Sequence, residues 1–405
     1  MVQIRRGLLI FLVVLAVAAG SLATCFYLNV SPSDLAAGPG AYVSVAKDRY
    51  GELTRIADTY EKAEFLRDYI EDNYYVEVSD EDVMNGVYYG MFNSLGDPYS
   101  NYMSKNEYQN ELATLTGDYY GIGVTVAADV DTDRVIVISP TPGTPAEAAG
   151  IRSGDLILAV DGVEYTANQL DVCAAAIRGE EGTDVVLSIL RKNDRFDLTI
   201  TRSHITLQSV TSEMRSDGLG YIQISSFLNN TGIDFAAAVK SLEDQGATGL
   251  IIDLRNNGGG LVNAAIGVAD VLMDKATVVY TEDHDHNRSY YQTTDGKTSL
   301  PSVILINEGS ASSSEILAAG LQDNGICKVV GTQSFGKGII QNVEELSDGS
   351  AVKLTILQYF TPGGEVIHKV GITPDYIVEL TDDCYDEDGL LINDLQLKRA
   401  AELLK

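Results

Sequence analysis

The hydrophobic pattern of the chain changes at Gly220, and this change constrains the fold more than any other feature. From Gly220 onward, apolar runs at 221–224, 249–253, 303–306 and 352–356 alternate with segments of helical pattern. Apolar runs of this length, separated by helices, are typical of strands in an α/β structure. The sequence therefore predicts an α/β core in the second half of the chain.

A different pattern, of short strands and glycine turns, occupies residues 117–202. Its predicted elements are strands at 135–138 and 156–160, a helix at 168–178, and a hairpin formed by 185–200. We therefore expect a separate strand-rich module in front of the α/β core.

Residues 50–112 are predicted to be mainly helical. One helix places four residues on a common face: Ala63, Leu66, Ile70 and Tyr74. A second helix is expected to begin at Ser79, because Ser79–Asp82 resembles a capping box, and to end at Gly96–Pro98. A last helix is predicted at 394–404, after an acidic patch.

The N-terminus has the pattern of a membrane anchor. Arg5 and Arg6 precede an uncharged run, residues 7–28, that is long enough to cross a bilayer as a helix. The paired arginines favour a cytoplasmic N-terminus, so we expect a single-pass protein of a bacterial-type cell membrane with an extracytoplasmic body. Cleavage after Ala23, or lipidation at Cys25, remain alternatives.

Composition excludes several classes of function. The chain carries 58 acidic and 28 basic residues, a net charge of −30, which opposes binding to nucleic acid. The four cysteines have no short spacing, so neither a zinc ribbon nor a disulfide framework is predicted. His284 and His286 lie in an acidic stretch that we interpret as a solvated loop. No metal or other cofactor is expected.

Three segments are candidates for chemistry. The first, 307–316, follows a predicted strand and opens a helix with the serines Ser310, Ser312, Ser313 and Ser314. A serine at such a junction lies beside unpaired N–H groups that can stabilise an oxyanion. Serine is also a preferred N-cap residue, so these serines alone do not distinguish catalysis from capping.

The second segment, 334–341, places a lysine between two glycines. If it is extended, Lys337, Ile339 and Gln341 point to one face, and the Gln341 amide could orient the amine. A lysine acts as a general base only where burial lowers its pKa, and most lysines are solvated surface groups. The third segment, 253–261, contains three glycines but lacks the Gly-Lys-Ser/Thr of a nucleotide loop. Its glycines could present N–H groups to a reacting carbonyl.

Taken together, these segments closely resemble the carboxyl-terminal processing, or tail-specific, serine proteases. The resemblance spans residues 60–405 in colinear order and rests on six motifs: Gly90–Ser100, Asp253–Gly260, Gly309–Ile316, Gly320–Asp323, Ser334–Gly338 and Gly371–Asp375. One difference is that Ser313–Ser314 replaces the commoner Ala-Ser after the nucleophile. His368 lies outside every motif, and the resemblance requires no role for it.

The resemblance implies a role for each matching residue. In the family the nucleophilic serine lies 25 residues before the lysine, which selects Ser312. The catalytic residues would be Ser312, Lys337 and Gln341, supported by the acids Glu315 and Asp323. The N–H groups of Gly258 and Ser313 would form the oxyanion hole. The strand-rich module is similar to a PDZ domain, whose carboxylate-binding loop would consist of Gly121, Ile122, Gly123 and Val124.

The resulting expectation is an endopeptidase that cleaves extracytoplasmic proteins near their C-termini, with an α/β (α+β) core and an inserted PDZ domain. The predicted parts are an N-terminus and transmembrane helix at 1–28, a linker and helical segment at 29–112, the PDZ domain at 113–203, the protease core at 204–380 and a helical tail at 381–405. Family relatives suggest a homodimer through the helical segments. The alternatives are a catalytically silent PDZ scaffold and, with weaker support, an acid hydrolase that uses paired carboxylates.

Overall fold

A computed structural model describes residues 2–5, 42–386 and 390–405. The predicted anchor, residues 7–28, and the first part of the predicted linker lie outside the described residues. Within the described ranges, no helix combines the length and the apolar character that crossing a membrane requires. The chain divides into two compact units, residues 1–108 with 342–354 and residues 109–341 with 355–405.

The first unit is mainly helical. Its elements are β1 (Val2–Arg5), β2 (Tyr42–Val45), α1 (Lys47–Asn73), α2 (Asp80–Asn93) and β3 (Asn101–Met103). The predicted cap of α2 is confirmed, since the Ser79 side chain accepts a hydrogen bond from the N–H of Asp82 at 3.1 Å. The continuous helical prediction for 50–112 is wrong at β3. There the chain turns at Asp97, which binds the N–H of Tyr99, and then pairs with residues 351–353.

The predicted apolar face of α1 is not buried against the rest of the described chain. Leu66 is 45% exposed and Tyr74 is 54% exposed, and Leu53 is the one buried residue of this helix. Phe65 and Tyr69 are also exposed and stack on each other. A helical period thus predicted the helix correctly, although it did not predict a buried face.

The strand-rich module follows, and its first helix begins at Lys105, four residues before the second unit starts at residue 109. Its elements are α3 (Lys105–Thr116), β4 (Asp118–Gly121), β5 (Val124–Asp129), β6 (Arg134–Pro140), α4 (Pro145–Ala148), β7 (Leu156–Val160), β8 (Val163–Glu164), α5 (Leu170–Ile177), β9 (Asp184–Arg191), β10 (Asp194–Thr201) and β11 (Ser203–Thr206). The sheet order is β10-β9-β7-β6-β5, with β5 at an edge. Strands β4 and β11 pair antiparallel, so the module is connected through a two-stranded ribbon.

The core follows as two sheets. Its elements are β12 (Val210–Met214), β13 (Gly220–Ile224), α6 (Thr231–Asp244), β14 (Leu250–Asp253), α7 (Val262–Leu272), β15 (Thr277–Glu282), β16 (Arg288–Gln292), β17 (Ser302–Ile306), α8 (Ser313–Asp323), β18 (Cys327–Gly331), β19 (Ile339–Glu345), β20 (Ala351–Phe360), β21 (Tyr376–Ile377) and α9 (Leu395–Leu403). The main sheet runs β12-β13-β14-β17-β18-β21 and is parallel from β13 onward. The predicted strand 352–356 belongs to β20, which lies in the other sheet, β16-β15-β20-β19.

Alternating side chains of the main sheet build a core on each face. Ile252, Ile304 and Val329 pack with α6, α7 and α8, whereas Ile251, Val303 and Val330 pack with α9. Since β14, β17 and β18 are parallel neighbours, their carboxyl ends meet at one sheet edge. The loops that follow these three strands are therefore brought together there.

Candidate active site

Three loops at this edge carry the candidate residues. We name residues 254–260 the glycine loop, 307–312 the nucleophile loop and 332–338 the base loop. They follow β14, β17 and β18 respectively. The three predicted chemical segments, which are scattered in sequence, thus converge at one place in the fold.

Ser312 has an unusual backbone conformation. Its φ is 55° and its ψ is −114°, and it immediately precedes α8. Such a conformation is costly for a residue with a side chain and is concentrated at functional sites. A serine on a sharp turn between a strand and a helix is the arrangement known from hydrolase nucleophile elbows.

Hydrogen bonding distinguishes Ser312 from the other three serines. Those three are fully buried and donate to carbonyls of the glycine loop at 2.8 Å: Ser310 to Leu254, Ser313 to Gly260 and Ser314 to Asn257. The hydroxyl of Ser312 is half-buried and donates to none of the described residues. Three of the serines therefore fix the loops. The Ser312 oxygen accepts from the N–H of Glu315 in a capping box at the start of α8, but its hydroxyl proton has no acceptor among the described residues.

Glu315 joins the nucleophile to the base loop. Its buried carboxylate accepts four hydrogen bonds, from Ser312 N (2.8 Å), Ser334 Oγ (2.6 Å), Gly336 N (2.7 Å) and Lys337 N (2.9 Å). Ser312 and Lys337 bind the same oxygen, Oε2, so their main-chain nitrogens lie close together. Four donors offset the cost of burying this charge.

Residues of β20 hold Lys337 and Gln341 in place through hydrogen bonds. The Tyr359 hydroxyl donates to the carbonyl of Lys337, and the Tyr359 N–H donates to Gly338 O at 3.0 Å. Gln341 Nε2 donates to Thr355 Oγ1 at 3.1 Å, which leaves the amide oxygen as its accepting end. Regular strand structure begins only at residue 339, so the strand alternation that the sequence suggested for 337–341 does not extend to Lys337.

The glycine loop approaches Ser312 closely enough to exclude a side chain. Gly259 has a φ of 105°, and a Cβ on it would lie 2.8 Å from Ser312 Cβ and 2.8 Å from Ala311 O. The N–H of Gly258 has no acceptor among the described residues, and Ser313 begins a helix, where N–H groups lack helical partners. Both predicted oxyanion donors are therefore available.

Asn257 is a supporting residue that the sequence did not single out. It is fully buried, its Nδ2 donates to Ile224 O at 2.8 Å, and its Oδ1 accepts from Gly259 N at 2.9 Å. Its own carbonyl accepts from Ser314 and from the N–H of Ala311. The Asn-Asn-Gly run indicated a turn, but no local signal could indicate partners more than 30 residues away.

Asp323 lies at the other end of α8, about 16 Å along the helix from Ser312. Its carboxylate accepts from the N–H of Gly363 at 2.8 Å and so holds the turn after β20. The two predicted supporting acids therefore differ, since Glu315 contacts the site and Asp323 holds a distant turn.

A groove of about 320 Å³ lies between β5 and α5 in the strand-rich module. Gly123, with a φ of 77°, forms its end beside Ile122, and a Cβ on Gly123 would lie 2.4 Å from the side chain of Thr144. The N–H groups of Ile122 and Gly123 have no acceptor in the described chain. The apolar walls include Val124, Leu170, Ala174 and Ile177, and Arg178 lies at the same end as the glycines. Three of the four predicted loop residues, Ile122, Gly123 and Val124, therefore line a groove beside the free edge of a sheet, whereas Gly121 ends β4 and pairs with Ser203.

No group of three or more histidine, cysteine or carboxylate side chains that could hold a metal ion occurs within the described ranges. His286 contacts Glu282 at 2.7 Å on an exposed loop. The two histidines of the acidic stretch therefore lie in a solvated loop, as the sequence predicted.

Three family models match the chain. Peptidase family S41 matches residues 218–378, the PDZ domain matches 119–201, and the activating protease CtpB N-terminal domain matches 27–107. The first match contains all three loops that carry the candidate residues, and the second contains β5 and α5, between which the groove lies.

Curated relatives cover most of the chain. A carboxyl-terminal-processing protease of Synechocystis is 39% identical over 71% of this chain and 69% of its own length. The processing proteases CtpA and CtpB of Bacillus subtilis are 34% and 33% identical over 93% and 96% of this chain, covering 78% and 84% of their own lengths. With the S41 and PDZ matches, these relatives show that the chain belongs to the carboxyl-terminal processing serine proteases of peptidase family S41.

Proposed function

We propose that Ser312 is the nucleophile, Lys337 the general base and Gln341 the residue that orients the lysine amine. The observation that carries this proposal is the shared Glu315 carboxylate, which binds the N–H groups of Ser312 and Lys337 at 2.8 and 2.9 Å. It fixes the two backbones together, while the Ser312 hydroxyl alone among the four serines has no acceptor in the part of the chain that the structure describes.

The reaction would proceed through an acyl-enzyme. The neutral Lys337 amine takes the hydroxyl proton as Ser312 Oγ attacks the peptide carbonyl, and the oxyanion accepts from the N–H groups of Gly258 and Ser313. The lysine then gives its proton to the leaving amine as the C–N bond breaks. Water attacks the ester with the same lysine as base and regenerates the hydroxyl.

The groove supports selection of substrates by their C-termini. A terminal carboxylate would bind the N–H groups of Ile122 and Gly123, and the preceding residues would add as a strand along β5. The apolar walls favour an apolar last side chain, and cleavage would follow near the tail that is held.

The test is proteolysis of an unstructured protein by the purified full-length chain, compared with Ser312→Ala and Lys337→Ala. We expect both variants to fold and to lose more than about a thousandfold in kcat. If wild type and Ser312→Ala show the same residual proteolysis, the result would support the rival function, a catalytically silent PDZ scaffold.

We further propose that residues 7–28 anchor the protein in the membrane, with the body on the outer side. The support is the uncharged run after Arg5 and Arg6. With a bilayer between Arg5 and Tyr42, β1 and β2 would lie on opposite sides of the membrane. This topology therefore requires that the two strands do not pair in the membrane-bound protein. Protease added outside intact cells should digest the body of the anchored protein. A body that is digested only after lysis would refute this location.

A second copy of the chain is the partner we propose for the exposed face of α1. Phe65 and Tyr69 of this helix are 64% and 58% exposed, and Tyr75, which follows the end of the helix, is 87% exposed, so large aromatic side chains are left uncovered here. Phe65→Ser together with Tyr69→Ser should convert a dimer into a monomer in analytical ultracentrifugation. A wild-type chain that stays monomeric at high concentration would contradict this proposal.

A further inference from the structure

Arg255, at the start of the glycine loop, lies between two carboxylates from distant parts of the chain. Its guanidinium contacts Asp253 at 2.6 Å and Asp394 at 2.9 Å, and its Nη1 donates to Gln396 Oε1 at 3.0 Å. The side chain of Arg255 is 13% exposed and that of Asp253 is 2% exposed. Burial alone would lower the pKa of Arg255, but its hydrogen bonds to Asp253 and Asp394 raise the pKa above the ordinary value.

The partners of Arg255 are themselves fixed. Asp394 uses its other oxygen to cap α9, accepting from the N–H of Leu397 at 2.8 Å. Gln396 donates to Val378 O at 2.8 Å, and Asp253 accepts from the Tyr221 hydroxyl at 2.8 Å. The first turn of the C-terminal helix is therefore bonded directly to the base of the glycine loop.

The loop continues from Arg255 to the oxyanion donor in three residues. Asn256 has a φ of 60° and exchanges hydrogen bonds with Asn307 of the nucleophile loop, at 2.8 and 2.9 Å. Asn257 is buried, donates to Ile224 O and accepts from Gly259 N, and Gly258 follows. Because hydrogen bonds hold each of these residues, we expect a displacement of Arg255 to be passed along the loop to Gly258.

We propose that Arg255 is a positioning residue for the oxyanion hole, and that the C-terminal helix supplies Asp394 to hold it. The inference rests on the proposed function, since the position of Gly258 matters only if Ser312 is the nucleophile. An error of about 1 Å in such a site lowers the rate about a hundredfold. Binding of substrate tails in the groove between β5 and α5 does not involve this loop.

The experiment compares Arg255→Met and Asp394→Asn with wild type in the full-length chain. Asp394→Asn retains an oxygen to cap α9, so it tests the contact even if Arg255→Met does not fold. The matched control is Arg191→Met, which removes the arginine from a similarly buried pair with Asp155 in the strand-rich module. The readouts are kcat, KM, the rate at which a fluorophosphonate labels Ser312, and the Ki of a peptide aldehyde.

We expect kcat and the labelling rate to fall about thirtyfold or more for Arg255→Met and about tenfold for Asp394→Asn, with KM within about twofold. The aldehyde Ki should rise with the loss of kcat, because its tetrahedral adduct needs the oxyanion hole. If both variants lose only thermal stability, as the control does, Arg255 is structural and the proposal is overturned. A wild-type chain that the probe does not label would instead refute the proposed function itself.

Discussion

Glu315 offers the sharpest test of the site, because one carboxylate binds the backbones of both proposed catalytic residues, Ser312 and Lys337. In Glu315→Gln the amide oxygen can still accept from the N–H groups of Ser312 and Lys337. Its NH₂ group would then face Ser334 Oγ, which can accept, and the N–H of Gly336, which cannot. Two buried donors, the N–H of Gly336 and the hydroxyl of Ser334, therefore lose their acceptor.

The magnitude follows from these four bonds. An unsatisfied buried donor costs about 1–3 kcal/mol, and the remaining bonds lose the charge that roughly doubles their strength. We therefore expect Glu315→Gln to lower the free energy of unfolding by about 3–5 kcal/mol. A shift of the base loop should lower kcat about a hundredfold, with KM little changed.

The assay combines urea unfolding, followed by circular dichroism, with cleavage of an internally quenched peptide. The matched control is Asp375→Asn at the opposite edge of the sheet, where Asp375 accepts from Lys328, Val329 and Gln322 at 2.8–3.0 Å. It should lose about 2–3 kcal/mol of stability but keep kcat within about twofold. A Glu315→Gln enzyme with wild-type kcat at full folding would refute the link between the two loops.

Two further predictions concern single positions. Gly259→Ala should lose more than about a hundredfold in kcat, because its Cβ would lie 2.8 Å from Ser312 Cβ. Gly246 also has a positive φ but has open space around it, so Gly246→Ala should lose only about 1 kcal/mol of stability. Equal peptidase activity of the two variants would contradict the steric argument. Burial alone would raise the pKa of Asp155, but its bonds to Arg191 hold the pKa below the ordinary value of 3.8. The ion pair therefore stabilises the fold fully above pH 3.8, and this stabilisation is lost as the pH falls through the lowered pKa. Asp155→Asn should cost about 3 kcal/mol at pH 7, and this difference should shrink in unfolding curves measured below pH 3.8; a constant difference would exclude the ion pair as its cause.

Local signals predicted much of the second unit. Glycine turns and short apolar runs indicated β6, β7 and the β9–β10 hairpin, and the structure confirms each of them. In the first unit, the cap at Ser79 was also predicted, because capping depends on residues close in sequence. Position Ser312 followed from the family spacing, and the structure adds a reason to prefer it over three neighbouring serines.

Contacts between distant residues could not be predicted in this way. Glu315 reaches Lys337 across 22 positions, and Arg255 reaches Gln396 across 141. No periodic pattern in the sequence indicates these partners, because each contact depends on which strands become neighbours in the fold. The exposed face of α1 was missed for a related reason, because a helical period shows which side chains share a face and not what covers that face.

The paired strands β4 and β11 place the chain's path into the module directly beside its path out. Gly121 lies opposite Ser203 and Asp118 lies opposite Thr206, although 88 positions separate the latter pair. Because the entropy cost of closing a loop grows only slowly with its length, the length of the segment between these two paired strands matters little. A short turn could replace the whole module, and a foreign domain with adjacent termini could be inserted there. This chain thus provides a natural site for exchanging modules while the glycine, nucleophile and base loops stay in place.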